Sequence, residues 1–113
     1  MKEIRAIIQP FMLSRVIERL HALPHFPGFT VSACQGQGRG RGAGGRFQPE
    51  EASIDLLDKT KLEIFCADEV CEELVALIQS AARTGNDGDG VIMVADLPRV
   101  VRIRTGEEQK DAV

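Results

Sequence analysis

The sequence predicts an α+β fold in which two helices cover one face of a four-stranded sheet. Three observations carry that prediction. Strand-like and helix-like segments alternate in the order strand, helix, strand, strand, helix, strand. A glycine-rich stretch without periodicity separates the two halves of that order. The chain of 113 residues is long enough for one domain and no more. Two split βαβ units in this order place both helices on the same side of the sheet, and the right-handed crossover rule leaves few other topologies. The opposite sheet face must then be covered. A domain of this size buries only about two-thirds of its unfolded surface, so the expected cover is another copy of the chain.

Each element follows from its residues. Glu3 to Gln9 is short, rich in isoleucine and ended by Pro10, which reads as a buried strand. Leu13, Val16, Ile17 and Leu20 then fall at helical spacing with Arg15, Glu18 and Arg19 on the other face. Pro24 and Pro27-Gly28 stop that helix. Phe29 to Gln35 returns to strand character through Phe29, Thr30 and Val31. Residues 36–58 lose all periodicity, and a segment of that length inside a compact domain is usually functional or disordered. Lys59 to Ala67 alternates, with Lys61 and Glu63 facing one way and Leu62 and Ile64 the other. Asp68 is expected to cap the second helix, whose apolar stripe is Val70, Leu74, Leu77, Ile78 and Ala81. Gly85 to Gly90 ends it, Val91 to Val94 forms the fourth strand, and a polar tail occupies 107–113. The whole is a ferredoxin-like βαββαβ sandwich, residues 1–113 forming a single domain.

Composition excludes several classes. Hydrophobic residues make up 43%, enough for a core, and the net charge of −3 gives no general attraction to nucleic acid or anionic membrane. The first residues are too short and too charged for a signal peptide, and no apolar run approaches the roughly 20 residues that span a bilayer. A cytoplasmic protein without membrane insertion is expected. Cys34, Cys66 and Cys71 make an odd number without an export signal, which argues against a disulfide framework. Cys66-x4-Cys71, with His21 or His25, matches no standard zinc spacing, so no metal site is expected, and Cys34 and Cys66 read as small core residues. No Ser/His/Asp or Cys/His set has a credible spacing, and no residue stands out as a general base; an enzyme is not expected.

Two groups of residues suit anion chemistry. The glycines of Thr84 to Gly90 permit positive φ and bring backbone N–H groups close to an anion. Arg102 and Arg104 sit two apart, so in an extended segment both guanidinium groups face one side and can hold a polyphosphate. The same residues also suit a helix-stop turn and a solvated charged strand end. Arg39, Arg41 and Arg46 give the long loop an RGG-like character, but without an aromatic ladder they supply charge and little stacking.

At these residues the chain resembles a family. Met1-Lys2-x-Ile4-x-Ala6-Ile7-Ile8-x-Pro10-Phe11, Ala81-Ala82-Arg83-Thr84-Gly85-x-x-Gly88-Asp89-Gly90 and Arg102-Ile103-Arg104-Thr105-Gly106-Glu107-Glu108 are similar to motifs of the PII nitrogen-regulatory signal-transduction proteins, over nearly the whole length. The resemblance implies a homotrimer with nucleotide clefts between subunits, ATP and ADP competing there, and 2-oxoglutarate binding beside Mg-ATP. It also implies that the 36–58 loop docks on a transporter or metabolic enzyme, through Arg39, Arg41, Arg46, Phe47, Gln48 and Glu50. By position it implies nucleotide contacts at Thr30, Gly36, Gly38, Lys59, Thr84, Gly88, Asp89 and Gly90, with Arg102 and Arg104 reaching in from the neighbouring subunit.

The departures from the family pattern are specific. Val91 stands where a phosphate-gripping Lys or Arg is expected, and losing one charged hydrogen bond costs about 1.5–3 kcal/mol, roughly ten- to a hundredfold in affinity. Gly40 replaces the Gln that touches Mg and 2-oxoglutarate, and Gln48 replaces the Arg used to plug an ammonium channel. Ala52 stands at the position of the uridylylated Tyr, and the chain contains no Tyr at all. These changes point to a divergent member that prefers ADP or AMP over ATP and responds weakly to 2-oxoglutarate. An orthodox nitrogen-status regulator is the alternative, and a slow ATPase in the same cleft or RNA binding through the Arg/Gly loop are readings from other classes.

Overall fold

The structure is a computed structural model and describes residues 1–38 and 56–113. Strand β1 (Lys2–Ile8) leads through a 3₁₀ turn (Pro10–Met12) into helix α1 (Leu13–His21). Strands β2 (Thr30–Gly36) and β3 (Leu57–Cys66) follow, then helix α2 (Asp68–Ala82) and strand β4 (Gly90–Asp96). The strands form one antiparallel sheet in the order β2-β3-β1-β4, the ferredoxin-like arrangement that the sequence predicts.

Alternation along the two central strands sets the layers. Ile4, Ala6 and Ile8 of β1 and Leu62, Ile64 and Cys66 of β3 point to the helices and are buried. Val16 and Leu20 of α1 and Leu74, Ile78 and Ala81 of α2 close the core over them. Cys71 belongs to that buried face too, a position the predicted α2 stripe omits. The register Ile7↔Lys61, Arg5↔Glu63 and Glu3↔Phe65 puts the remaining β1 and β3 side chains on the other face, which no helix among the described residues covers. That open face carries Phe65, Val91 and Met93 as exposed apolar groups around an Arg5–Glu3 ion pair at 3.1 Å.

The structure departs from the sequence reading at five places. β2 and β3 run into the segment 36–58, because Gly36 pairs with Leu57 and Gln35 with Asp58, and Gln35 also donates to the Asp58 carboxylate at 3.2 Å. Asp68 is the first residue of α2 and not its cap: Ala67 holds the extended cap conformation (φ −67°, ψ 152°), and the Asp68 carboxylate pairs instead with the Met1 ammonium at 2.8 Å. Cys34 is half-buried and lies on the open face across from Lys59, not in the core. Arg102 and Arg104 do not lie in an extended segment. Arg102 N–H donates to the Glu107 carbonyl and Gly106 N–H to the Arg102 carbonyl, both at 2.8 Å, closing a hairpin turn at whose end Gly106 takes φ 74°. Residues 107–113 return from that hairpin through a Val101–Glu108 bridge and a 3₁₀ turn (Gln109–Ala112) that buries Ala112.

Candidate functional site

The segment joining α2 to β4 is shaped by three glycines and one carboxylate. Gly85, Gly88 and Gly90 have φ of 90°, 90° and 102°, backbone that L side chains rarely adopt. At Gly90 the need is also steric. A Cβ there would stand 1.7 Å from the Ile7 carbonyl oxygen, so only glycine permits the Ile8↔Gly90 pairing that starts β4. The Asp89 carboxylate folds back over the turn and accepts hydrogen bonds from Thr84 N–H (2.8 Å), Gly85 N–H (2.9 Å) and the Thr84 hydroxyl. The Thr84 hydroxyl oxygen in turn accepts from Asn86 N–H at 3.1 Å. The Thr84 hydroxyl, joined by the two backbone N–H groups and the nearby Arg83 charge, holds the Asp89 carboxyl below the usual carboxylate range against a smaller opposing effect of burial. Thr84 and Asp89 thus meet as expected, but their polar atoms are spent on each other.

Lys59 reaches this loop from β3. Its ammonium donates to the Gly88 carbonyl at 2.8 Å and to Gln9 Oε1 at 3.4 Å, and the residue is only 8% exposed. Both partners are neutral, and among the described residues no carboxylate lies within 4.0 Å of it. A buried ammonium whose neighbours are neutral is costly to maintain, and an anion beside it would lower that cost. Gln9 lies against the same loop: its amide nitrogen would lie 3.0 Å from a Cβ on Gly88. Gln9 escaped the sequence reading, because nothing local to β1 announces a partner as remote as Lys59.

Gly36 and Gly38 lie at the same end of the sheet. A Cβ at either would meet nothing within 4 Å, so the chain's own packing does not require glycine there. Thr30 and the two arginines do not join this group within one chain. Thr30 pairs with Glu63, four strand positions from Lys59, or about 13 Å along the strand. The 100–109 hairpin follows β4, which ends where Asp96 pairs with Lys2, six positions from Gly90 and roughly 20 Å away. Arg102 is half-buried and Arg104 exposed. Along the sheet, Lys59 and the Gly88 loop stand at one end, while Thr30 and the strand end that leads to the arginine hairpin lie toward the other. Arg39, Gly40, Arg41, Arg46, Phe47, Gln48, Glu50 and Ala52 lie outside the described residues.

With this geometry in hand, comparison with known proteins decides the family. The family model for nitrogen regulatory protein P-II matches residues 1–107. This chain belongs to the P-II family. It is 43% identical, over the full length of both chains, to the nitrogen regulatory protein P-II of Pasteurella multocida (strain Pm70) and to that of Azospirillum brasilense. It is 40% identical, again over the full length of both, to the nitrogen regulatory protein GlnK of Escherichia coli (strain K12). P-II membership makes the chain a signal-transduction regulator and not an enzyme, which removes the ATPase reading. No helix among the described residues of this P-II chain is long and apolar enough to cross a membrane.

Proposed function

We propose that this P-II chain works in the cytoplasm as a homotrimer that binds adenine nucleotide in the clefts between copies and reports its occupancy to a target transporter or metabolic enzyme. The observation that carries the reading is the Lys59 ammonium, buried against the Gly88 carbonyl and Gln9 with no carboxylate within 4.0 Å among the described residues. A phosphate or carboxylate seated beside it supplies the missing counter-charge, and the Gly85–Gly90 turn lets backbone N–H groups approach the same anion. Gly36 and Gly38, whose faces are open, let a flat base lie against the backbone.

The separation of the site residues supports the trimer. Arg102 and Arg104 follow β4 at its end away from the Gly88 loop, and a second copy that brings its hairpin to that loop unites them with Lys59. The open sheet face, with Phe65 and Met93 exposed, offers apolar surface for that contact, and Ile103 stands fully exposed on the hairpin.

Val91 sets the nucleotide preference. It follows Gly90 directly and is 58% exposed, an apolar side chain beside the anion seat. ADP or AMP is favoured over Mg-ATP, and 2-oxoglutarate, which needs Mg-ATP beside it, acts weakly. The relatives named P-II and GlnK favour a second reading, an orthodox regulator with a full 2-oxoglutarate response. Calorimetric titration with AMP, ADP and ATP, each with and without 2-oxoglutarate, separates the two. ADP or AMP binding more tightly than ATP, with no gain from 2-oxoglutarate, is the expected result; tight Mg-ATP binding strengthened by 2-oxoglutarate establishes the orthodox reading instead.

A further inference from the structure

The turn between α2 and β4 contains two Asp-Gly steps, Asp87-Gly88 and Asp89-Gly90. In any such step the chain itself keeps the side-chain carboxyl carbon within reach of the next backbone nitrogen, and glycine has no Cβ to shield that nitrogen. Ring closure between the two is intramolecular, which favours it strongly over attack from solution. The fold treats the two steps differently.

Asp89 is half-buried, and its carboxylate accepts from Thr84 N–H at 2.8 Å, Gly85 N–H at 2.9 Å and the Thr84 hydroxyl. These charge-assisted bonds keep the group ionised and fix its rotamer, so it neither turns toward Gly90 nor carries a hydroxyl to expel. Gly90 is pinned as well, as the first residue of β4 opposite Ile8. Asp87 has none of this. It is exposed, and among the described residues its carboxylate accepts no hydrogen bond and joins no ion pair. The Gly88 N–H donates to no acceptor among them either, and Gly88 is itself exposed.

We propose that Asp87-Gly88 is a site of spontaneous isoaspartate formation whose conversion disables the anion position beside Lys59, and that Asp89-Gly90 is protected from the same reaction. The Gly88 nitrogen attacks the protonated Asp87 carboxyl, a C–N bond forms, a C–O bond breaks, and one water leaves with the amide proton. Water then adds to the α-carbonyl of the cyclic imide and breaks its bond to the Gly88 nitrogen. The chain now runs through the former side chain, with one extra methylene and a free α-carboxylate; the mass is unchanged. Both changes fall next to the Gly88 carbonyl, which accepts from the Lys59 ammonium at 2.8 Å. The effect on ligand binding rests on the nucleotide reading above, whereas the reaction itself does not.

The test ages the full chain at physiological temperature and neutral pH, then labels it with an isoaspartyl methyltransferase and maps the label by peptide mass spectrometry. Label should accumulate at residue 87 and not at 89. Asp87→Glu, whose longer side chain closes a slower six-membered ring, should remove it. Thr84→Ala, which takes a donor from the Asp89 carboxylate, should open residue 89 as a second site. No label at 87, or equal rates at 87 and 89 in the parent, would overturn the proposal, and both are read in the parent even if a variant fails to fold. The converted fraction, separated by hydrophobic-interaction chromatography, should bind ADP at least about tenfold more weakly than fresh protein, as expected for a lost charged contact. Unchanged ADP affinity in that fraction would overturn the effect on Lys59. Fresh protein that binds no ADP would instead overturn the nucleotide reading, with the chemistry at 87 still decided by the label.

Discussion

Among single residues, Lys59, Val91 and Gly90 carry the sharpest consequences. A buried ammonium whose partners among the described residues are a carbonyl and an amide gains hydrogen bonds that its desolvation largely offsets. Lys59→Met should therefore leave the unfolding free energy unchanged or slightly raised in urea titration, while ADP affinity falls at least about tenfold by calorimetry. A variant that loses stability and binding together would make Lys59 a structural residue. Val91→Lys adds one charged donor beside the seat and should raise ATP affinity roughly ten- to a hundredfold, with AMP little affected. Gly90→Ala forces a side chain into positive φ and against the Ile7 carbonyl. It should cost on the order of 2–3 kcal/mol, read as a lower urea midpoint at unchanged slope. The need for glycine at 90 was legible as a loop signal, but its steric reason was not. The clash depends on β4 pairing with β1, a contact between residues far apart in sequence. Gln9 was invisible for the same reason.

At the scale of elements, the loop after α2 is held by the Asp89 carboxylate and its three donors. The folded Asp89 carboxyl loses its charge at lower pH than an unfolded one, whose pKa is about 3.9. Between those two values the unfolded chain binds the extra proton, so stability falls with acid. The Asp89 contribution is complete above the unfolded pKa and is lost as pH falls through the folded one. Thermal unfolding followed from pH 6 to pH 3 should show a shallower acid loss in Asp89→Asn than in the parent; identical slopes would mean that the carboxylate does not hold the turn. The strands and helices themselves were readable from period alone, since Leu62 and Ile64 alternate with Lys61 and Glu63, and Leu74, Ile78 and Ala81 recur at helical spacing. The hairpin bearing Arg102 and Arg104 was not. Its turn depends on Gly106 adopting positive φ and on the return of Glu108 to Val101, while the local run of Arg, Ile and Thr reads as strand. Asp68 was misplaced by one position because an acidic residue at a helix start suits either the cap or the first turn. The Met1 ammonium, a long-range partner, settled it in the turn.

At the scale of the whole molecule, the proposed nucleotide site is one that a single chain does not complete and a second copy does. Lys59 and the Gly88 loop stand at one end of the sheet, β4 runs from there to the other end before the arginine hairpin begins, and the sheet face between, with Phe65, Val91 and Met93 exposed, is covered by no helix among the described residues. The family was legible from three motifs, and the proposal that copies of the chain share one nucleotide site rests on how their residues are distributed along the sheet. Native mass spectrometry of the full chain with and without ADP tests this most directly. The account predicts trimers that take up as many as three nucleotides, together with any dissociated monomers carrying none. Monomers that bind ADP as well as trimers do, or trimers that take up none, would contradict it.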